Sequence, residues 1–453
     1  MAEQEAAARH VTATILAQID ALFAAPVPDD VIEWARHGVL DWLGVALAGA
    51  EDKLALALRE EAREEGGRPV ATILFHGEKT SAALAALVNA SMADALDFSD
   101  TNPNMHGHTT PAIVAAALAL VEAKAASGRA LLEAIIAGIE TACRVGLLAH
   151  GRLHPAAFHP TGTTVVFGAA AAAARLLGLD AAQRAHAMGL AATQGAGLVA
   201  SAGSMAKPFH SGKAAINGLL AASLAARGFT GRADAIEAPD GFLSAHVKEW
   251  SPAPLAACEG RFLIRDTKFK AHAACALTHS SIENMLTMMR GHGVTPAAIE
   301  WIELRVPHSS LGVCNIDAPS TALEAKFSVK TVAAMALLGD ATGDINAYAV
   351  ERVTRQEVQR LAVRISVTGR DDLDGGEAVA VVALTDGRQI TERYDSYTVA
   401  VDLAAQRVAL GRKFRALVAP MLGEARTARV EEAVFALDGA GSVAPLVALA
   451  RKS

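Results

Sequence analysis

Ile299-Glu-Trp-Ile-Glu-Leu-Arg-Val306 alternates apolar and polar side chains along its length, the period of a half-buried strand. Nothing before it in the chain reads that way. Leu361-Ala-Val-Arg-Ile-Ser-Val367 is a second such run. Ala378–Leu384 and Gln389–Arg393 flank Asp386-Gly387, a hairpin turn signal. Helical periods at His279–Arg290, Lys330–Leu338 and Arg355–Leu361 interleave with these strands.

Outward from this unit, both chain ends read as helix. Asp29–Leu47, Ser81–Asp97, Pro111–Ala126, Arg129–His150, Thr164–Leu177, Ala181–Ala192 and Ser211–Arg227 carry apolar residues at helical spacing, with Gly or Pro at most joints. No strand is predicted between Glu5 and Gly260. The tail, Ala405–Met421 and Arg429–Leu437, is helical again. The expected fold is mainly α with an α+β insert. A large helical domain takes in 1–262 and the returning 405–453, and a smaller α+β domain spans 263–404.

A chain of 453 residues exceeds one ordinary core, which agrees with two domains. With 52% hydrophobic and 20% charged residues it is globular, with an alanine-rich interior suited to close helix packing. A net charge of −7 without a basic arm excludes a nucleic-acid binder. The longest uncharged stretches, Pro155–Ala174 and Ala185–Ala206, are interrupted by polar residues and Pro and read as core rather than membrane spans. The start, Met1-Ala-Glu-Gln-Glu, lacks an apolar signal region, and Cys143, Cys258, Cys275 and Cys314 are scattered. The expectation is a cytoplasmic protein without disulfides.

Four clusters carry chemistry. In Gly203-Ser-Met-Ala-Lys-Pro-Phe-His-Ser-Gly-Lys213, Lys207 follows a long uncharged stretch, and a buried ammonium requires an anion. Pro208 predicts a turn at Lys207, and Ser211 a cap for a helix starting at Gly212. Lys207, His210 and that helix start would form an anion site.

Asp97-Phe-Ser-Asp-Thr-Asn-Pro-Asn-Met-His-Gly-His108 is a polar loop between apolar helices. It suits acid/base chemistry by His106, metal binding by His106 and His108 with Asp97 or Asp100, or simple capping by the aspartates. His159, in Leu153-His-Pro-Ala-Ala-Phe-His-Pro-Thr-Gly-Thr-Thr164, stands at a helix entrance where an imidazole can move protons near neutral pH, and the donors of Thr161-Gly-Thr-Thr164 at that helix start suit an anion pocket. Lys270, His272, Cys275 and His279 crowd the start of the second domain, at a junction that suits a ligand site. No P-loop, dinucleotide fingerprint, His-Glu-x-x-His or Gly-x-Ser-x-Gly is present. The implied chemistry is proton transfer on a small polyanion without metal or organic cofactor.

In this order the clusters resemble the MmgE/PrpD family of 2-methylcitrate dehydratases, cis-aconitate decarboxylases and iminodisuccinate epimerases. The matching runs are Leu96-Asp-Phe-Ser-Asp-Thr101 with His106, Phe158-His-Pro-Thr-Gly-Thr163, Lys207-Pro-Phe-His210, Lys270-Ala-His-Ala-Ala-Cys-Ala-Leu-Thr-His279 and Ala325-Lys-Phe-Ser328. The resemblance implies a helical domain from both chain ends with an α+β lid, a homodimer, and no metal or cofactor. It implies a pocket lined by Asp97, Thr101, His106, His159, Lys207 and Lys270. Cys275 falls where the decarboxylases look to carry a histidine, and Gly-His follows His106 where members often have Pro-Ser. These departures bear on decarboxylation more than on the shared site.

The site expected from these readings has His106 and His159 as the acid/base pair, Asp97 orienting one of them, and Lys207 stabilising developing charge. Thr101, Lys270, Cys275, His272, His210 and His108 would bind a polycarboxylate. Dehydration of a 2-methylcitrate-like hydroxy acid is the expected reaction. Epimerisation of an iminodisuccinate-like acid, decarboxylation of a cis-aconitate-like acid and a metal-dependent hydrolase are the alternatives. Lys207→Ala is expected to abolish turnover and leave the fold intact.

Overall fold

The computed structural model describes residues 10–149, 151–398 and 401–452. The acidic start of the chain and the expected helix end at His150 lie outside the described residues. The protein is mainly helical with one small mixed sheet. Helices Ala82–Asp94, Thr110–Lys124, Gly128–Leu148, Val165–Leu177 and Ala206–Ala225 pack on one another. Local caps start several of them. Ser81 accepts from the Leu84 N–H and Ser127 from the Ala130 N–H, each at 3.2 Å.

Small residues set the helix spacing. A Cβ on Gly218 would lie 2.5 Å from the Ala169 Cβ, and one on Gly212 would lie 2.7 Å from the Leu87 carbonyl oxygen. The contact at Gly212 presses Ala206–Ala225 against Ala82–Asp94, and so brings Lys207 to the end of the latter helix.

That helix departs from expectation. It starts at Ala206, with Lys207 and Pro208 in its first turn. Proline fits there because first-turn N–H groups have no intrahelical acceptor to lose. Ser211 is therefore an interior residue and not a cap. Ala82–Asp94 ends three residues early, and the chain turns through Asp97 at φ 51°.

Strands β1 (Ala71–Thr72) and β2 (Lys79–Thr80) form a short antiparallel pair in a stretch expected to hold none. Two residues each are too few to show a period. β3 (Ile299–Pro307), β4 (Ile365–Arg370), β5 (Glu377–Leu384) and β6 (Gln389–Asp395) form a sheet in the order β4-β3-β5-β6. β3 and β4 are parallel; the other pairs are antiparallel. The second expected strand begins later than its sequence suggests, because Leu361 and Ala362 finish the helix Gln356–Ala362. Helix His279–His292 packs on β5 and β6, and Leu403–Leu422 lies along Asp29–Ala48. Among the described residues no helix is long and apolar enough to cross a membrane.

Candidate active site

The segment 97–110 is built as a rigid polar loop. Thr101 and Lys268 exchange backbone hydrogen bonds at 2.8 and 2.7 Å, stapling the loop to the chain that leads into Lys270. The Asp100 carboxylate accepts from the backbone N–H and hydroxyl groups of Thr109 and Thr110, at the start of Thr110–Lys124. Capping is therefore its role, and its oxygens are consumed. Asp97 and His106 both have positive φ, 51° and 53°. Such conformations in non-glycine residues cost on the order of 1–3 kcal/mol and persist where the surroundings impose them.

Lys207 lies buried at the centre. Its ammonium donates to the Asp94 Oδ1 at 3.1 Å and to the Asp97 Oδ1. Burial works against the ammonium, but Asp94 and Asp97 outweigh it and hold its pKa above the ordinary lysine value. Burial likewise disfavours the Asp97 carboxylate, while Lys207 and Lys270 keep it ionised far below the usual range. Lys270 donates to the Asp97 carbonyl at 2.8 Å and to its Oδ2 at 3.1 Å. The Ser211 hydroxyl donates to the Asp94 Oδ2 at 2.9 Å. The anion that Lys207 requires is thus supplied by the protein.

His108 completes this cluster. Its Nδ1–H donates to the Asp100 carbonyl at 2.6 Å, leaving Nε2 to accept from Lys207 at 3.2 Å. Burial, with Lys207 assisting, pushes its pKa down to about 4, which keeps this tautomer neutral. Asp94, Asp97 and His108 offer three ligand atoms within 4.8 Å of one another. Lys207 donates to all three, so its ammonium stands where a coordinated cation would stand.

A cavity of about 230 Å³ opens beside this cluster. Asp97, Thr101, His106, His108, His159, Lys207 and Cys275 line it, as expected. His154, Asp374 and Tyr397 line it too and were missed. Burial pushes His154 down to about 4, and His159 and His106 are also lowered by burial. Burial pushes the Tyr397 phenol well up. Cys275 packs with Cys314 and Phe327 in a small apolar cluster. The Thr161 hydroxyl, expected near an anion pocket, accepts from the His108 N–H at 3.0 Å.

Three expected ligand contacts lie elsewhere. His210 is behind His159, with the two Nδ1 atoms 2.9 Å apart, and is not in the cavity wall. Lys270 sits beneath Asp97, and His272 faces a separate cleft of about 1000 Å³. There His272 is held by Glu283 at 2.9 Å and Thr342 at 2.7 Å. The segment 268–275 is a partition with the cavity on one side and the larger cleft on the other. His279 also lines the cleft.

The formal charges of Asp94 and Asp97 cancel those of Lys207 and Lys270. Lys326 adds a further buried cation, donating to the Leu96 carbonyl, with its pKa lowered by burial to about 8.

Residues 14–254 match the MmgE/PrpD N-terminal domain and residues 272–438 the MmgE/PrpD C-terminal domain. The chain belongs to the MmgE/PrpD family. It is 28% identical to a cis-aconitate decarboxylase of Mus musculus over 436 residues, covering 91% of this chain and 88% of that one. The Homo sapiens cis-aconitate decarboxylase is 27% identical, covering 91% and 89%. That of Aspergillus terreus (strain NIH 2624 / FGSC A1156) is 26% identical, covering 97% and 95%. This MmgE/PrpD chain therefore aligns with those decarboxylases across both halves of its cavity.

Proposed function

We propose that this MmgE/PrpD protein is a lyase acting on a small polycarboxylic acid held in the histidine-walled cavity. One observation carries the reading: neutral imidazoles of His106, His154 and His159 surround a space bordered by an ionised Lys207–Asp97 pair. At about 230 Å³ the cavity is smaller than the ~300–1,000 Å³ clefts of drug-sized ligands, which suits a compact acid.

The finer reading is decarboxylation of a cis-aconitate-like acid, supported by the names and near-full coverage of the relatives. The C–C bond breaks, carbon dioxide leaves, and the electron pair stays on the substrate carbon, which then takes one proton. Burial favours the neutral form of the His159 imidazole. Bound carboxylates would offset that effect and let it carry the proton. Tyr397 and Ser309 would donate to substrate oxygens from the cavity wall. Dehydration of a 2-methylcitrate-like acid is the second reading. Cys275 favours it, standing where the decarboxylases look to carry a histidine.

Proton NMR of cis-aconitate, citrate and 2-methylcitrate incubated with the protein tests both. Loss of carbon dioxide from cis-aconitate is the expected result, and water loss from 2-methylcitrate would select the second reading. Turnover of none of them would overturn the assignment. His159→Ala is expected to lower turnover at least about 100-fold.

A further inference from the structure

His210 has no role in that chemistry, yet it is the one side chain hydrogen-bonded to the imidazole of His159 among the described residues. The Nδ1 atoms lie 2.9 Å apart, with ring centroids at 5.2 Å. Two facing ring nitrogens at that distance share one proton, which either ring can own. His159 is at the cavity wall and His210 is not. Neither Nε2 is bonded to another described group, and neither is among the sealed, unpartnered buried polar atoms. The pair thus has one free nitrogen at the cavity and one outside its wall.

We propose that His210 is a proton relay that connects His159 to solvent. This rests on the acid/base reading of His159. Decarboxylation leaves an electron pair on carbon and consumes one proton per turnover, and that proton must come from water. An acid in solution protonates the His210 Nε2. The shared proton crosses from the His210 Nδ1 to the His159 Nδ1, and the His159 Nε2–H proton passes to carbon. Charge and protons balance. The rings end in opposite tautomers and reset when both Nε2 atoms exchange with water on product release. The groups bearing on the pair are Lys207, on the helix of His210, and His154 and His108 beside His159. Lys207 disfavours a resting charge on either ring, so the protonated state is transient.

The test compares His210→Phe, His210→Asn and His159→Ala with the unaltered chain, using whichever acid of the panel that chain converts fastest. Asparagine keeps a hydrogen-bonding group against the His159 Nδ1 but cannot pass a proton through itself. Both His210 variants are expected to lose at least about 10-fold in kcat with KM within about 3-fold. Added imidazole is expected to restore part of the loss, and kcat is expected to depend on buffer concentration. Near-normal kcat in His210→Asn would reduce His210 to an orienting group and overturn the relay, even if His210→Phe fails to fold. Near-normal turnover by His159→Ala, or none by the unaltered chain, would overturn the acid/base reading and the relay with it. A dead His159→Ala beside an unimpaired His210→Asn would overturn the relay alone.

Discussion

A buried lysine and a half-buried one bracket the segment that carries Lys270, and they differ in what they meet. Lys207 meets two carboxylates and an imidazole beside a cavity. Lys413, on Leu403–Leu422, meets Asp41 at 2.7 Å and the carbonyls of Phe98 and Lys270 at 2.7 and 3.1 Å. Two opposing charges overcome burial at Lys207 and raise its pKa. One carboxylate does not overcome it at Lys413, whose pKa is lowered by burial. The first cluster sets the electrostatics of a cavity. The second is a strut that ties the returning C-terminal helix to Asp29–Ala48 and fixes the backbone behind Asp97. Ion pairing of the same kind thus serves chemistry in one place and architecture in the other.

Lys207→Met is the most damaging test of this contrast. It leaves Asp94 and Asp97 buried and facing each other, so turnover is expected to vanish and stability to fall by about 3–5 kcal/mol in denaturant unfolding. This corrects the expectation of an intact fold. Adding Asp97→Asn should recover much of the stability and none of the turnover; full stability in the single variant would contradict the pairing. Lys413→Met should cost about 3 kcal/mol by leaving Asp41 unpaired, with kcat held within about 3-fold. A collapse of kcat without loss of stability would erase the distinction.

Acid titration separates the regions further. His108, His154 and His210 are lowered by burial from 6.5 to about 4, so between those values the unfolded chain binds more protons. Stability is therefore full above pH 6.5 and falls as pH drops toward 4, which thermal melting at stepped pH will read. His37, bonded to Gln406 near the strut, is lowered to about 4 as well and adds to the fall. Asp97 is held too low to titrate in that window. A flat melting curve from pH 7 to 4 would mean that these imidazoles are not buried. The smallest effect is expected for Tyr397→Phe, about 10-fold in kcat with unchanged melting, if its phenol serves the substrate. No change would leave it a packing residue.

Much of the architecture was legible because helix and strand periods are local. β3, β5 and β6 and the hairpin at Asp386-Gly387 follow from neighbouring residues alone. The misreadings arose where a local rule had two outcomes. Pro208 was read as a helix breaker and sits in a first turn, and Ala362 was read as strand and ends a helix. Of the site, the histidine-bearing loops stood out by composition. Asp94, at the end of an otherwise uncharged helix, gave a faint signal three residues before Asp97. His154 stood in the same loop as His159 without being singled out, and Asp374 and Tyr397 gave no signal.

The amino-acid sequence by itself determined that helices flank a small sheet, that Lys207 needs an anion and that the family is MmgE/PrpD, since period, charge and motif are properties of the chain. Only the tertiary structure decided which anion that is. Asp94 and Asp97 lie more than a hundred residues from Lys207, and the close approach at Gly212 brings their helices together. Packing of the same helix put His210 behind His159, while Glu283 and Thr342 hold His272 away from the cavity. Ion pairs and shared protons act over a few ångströms of space, and helix crossings, not sequence spacing, set those distances.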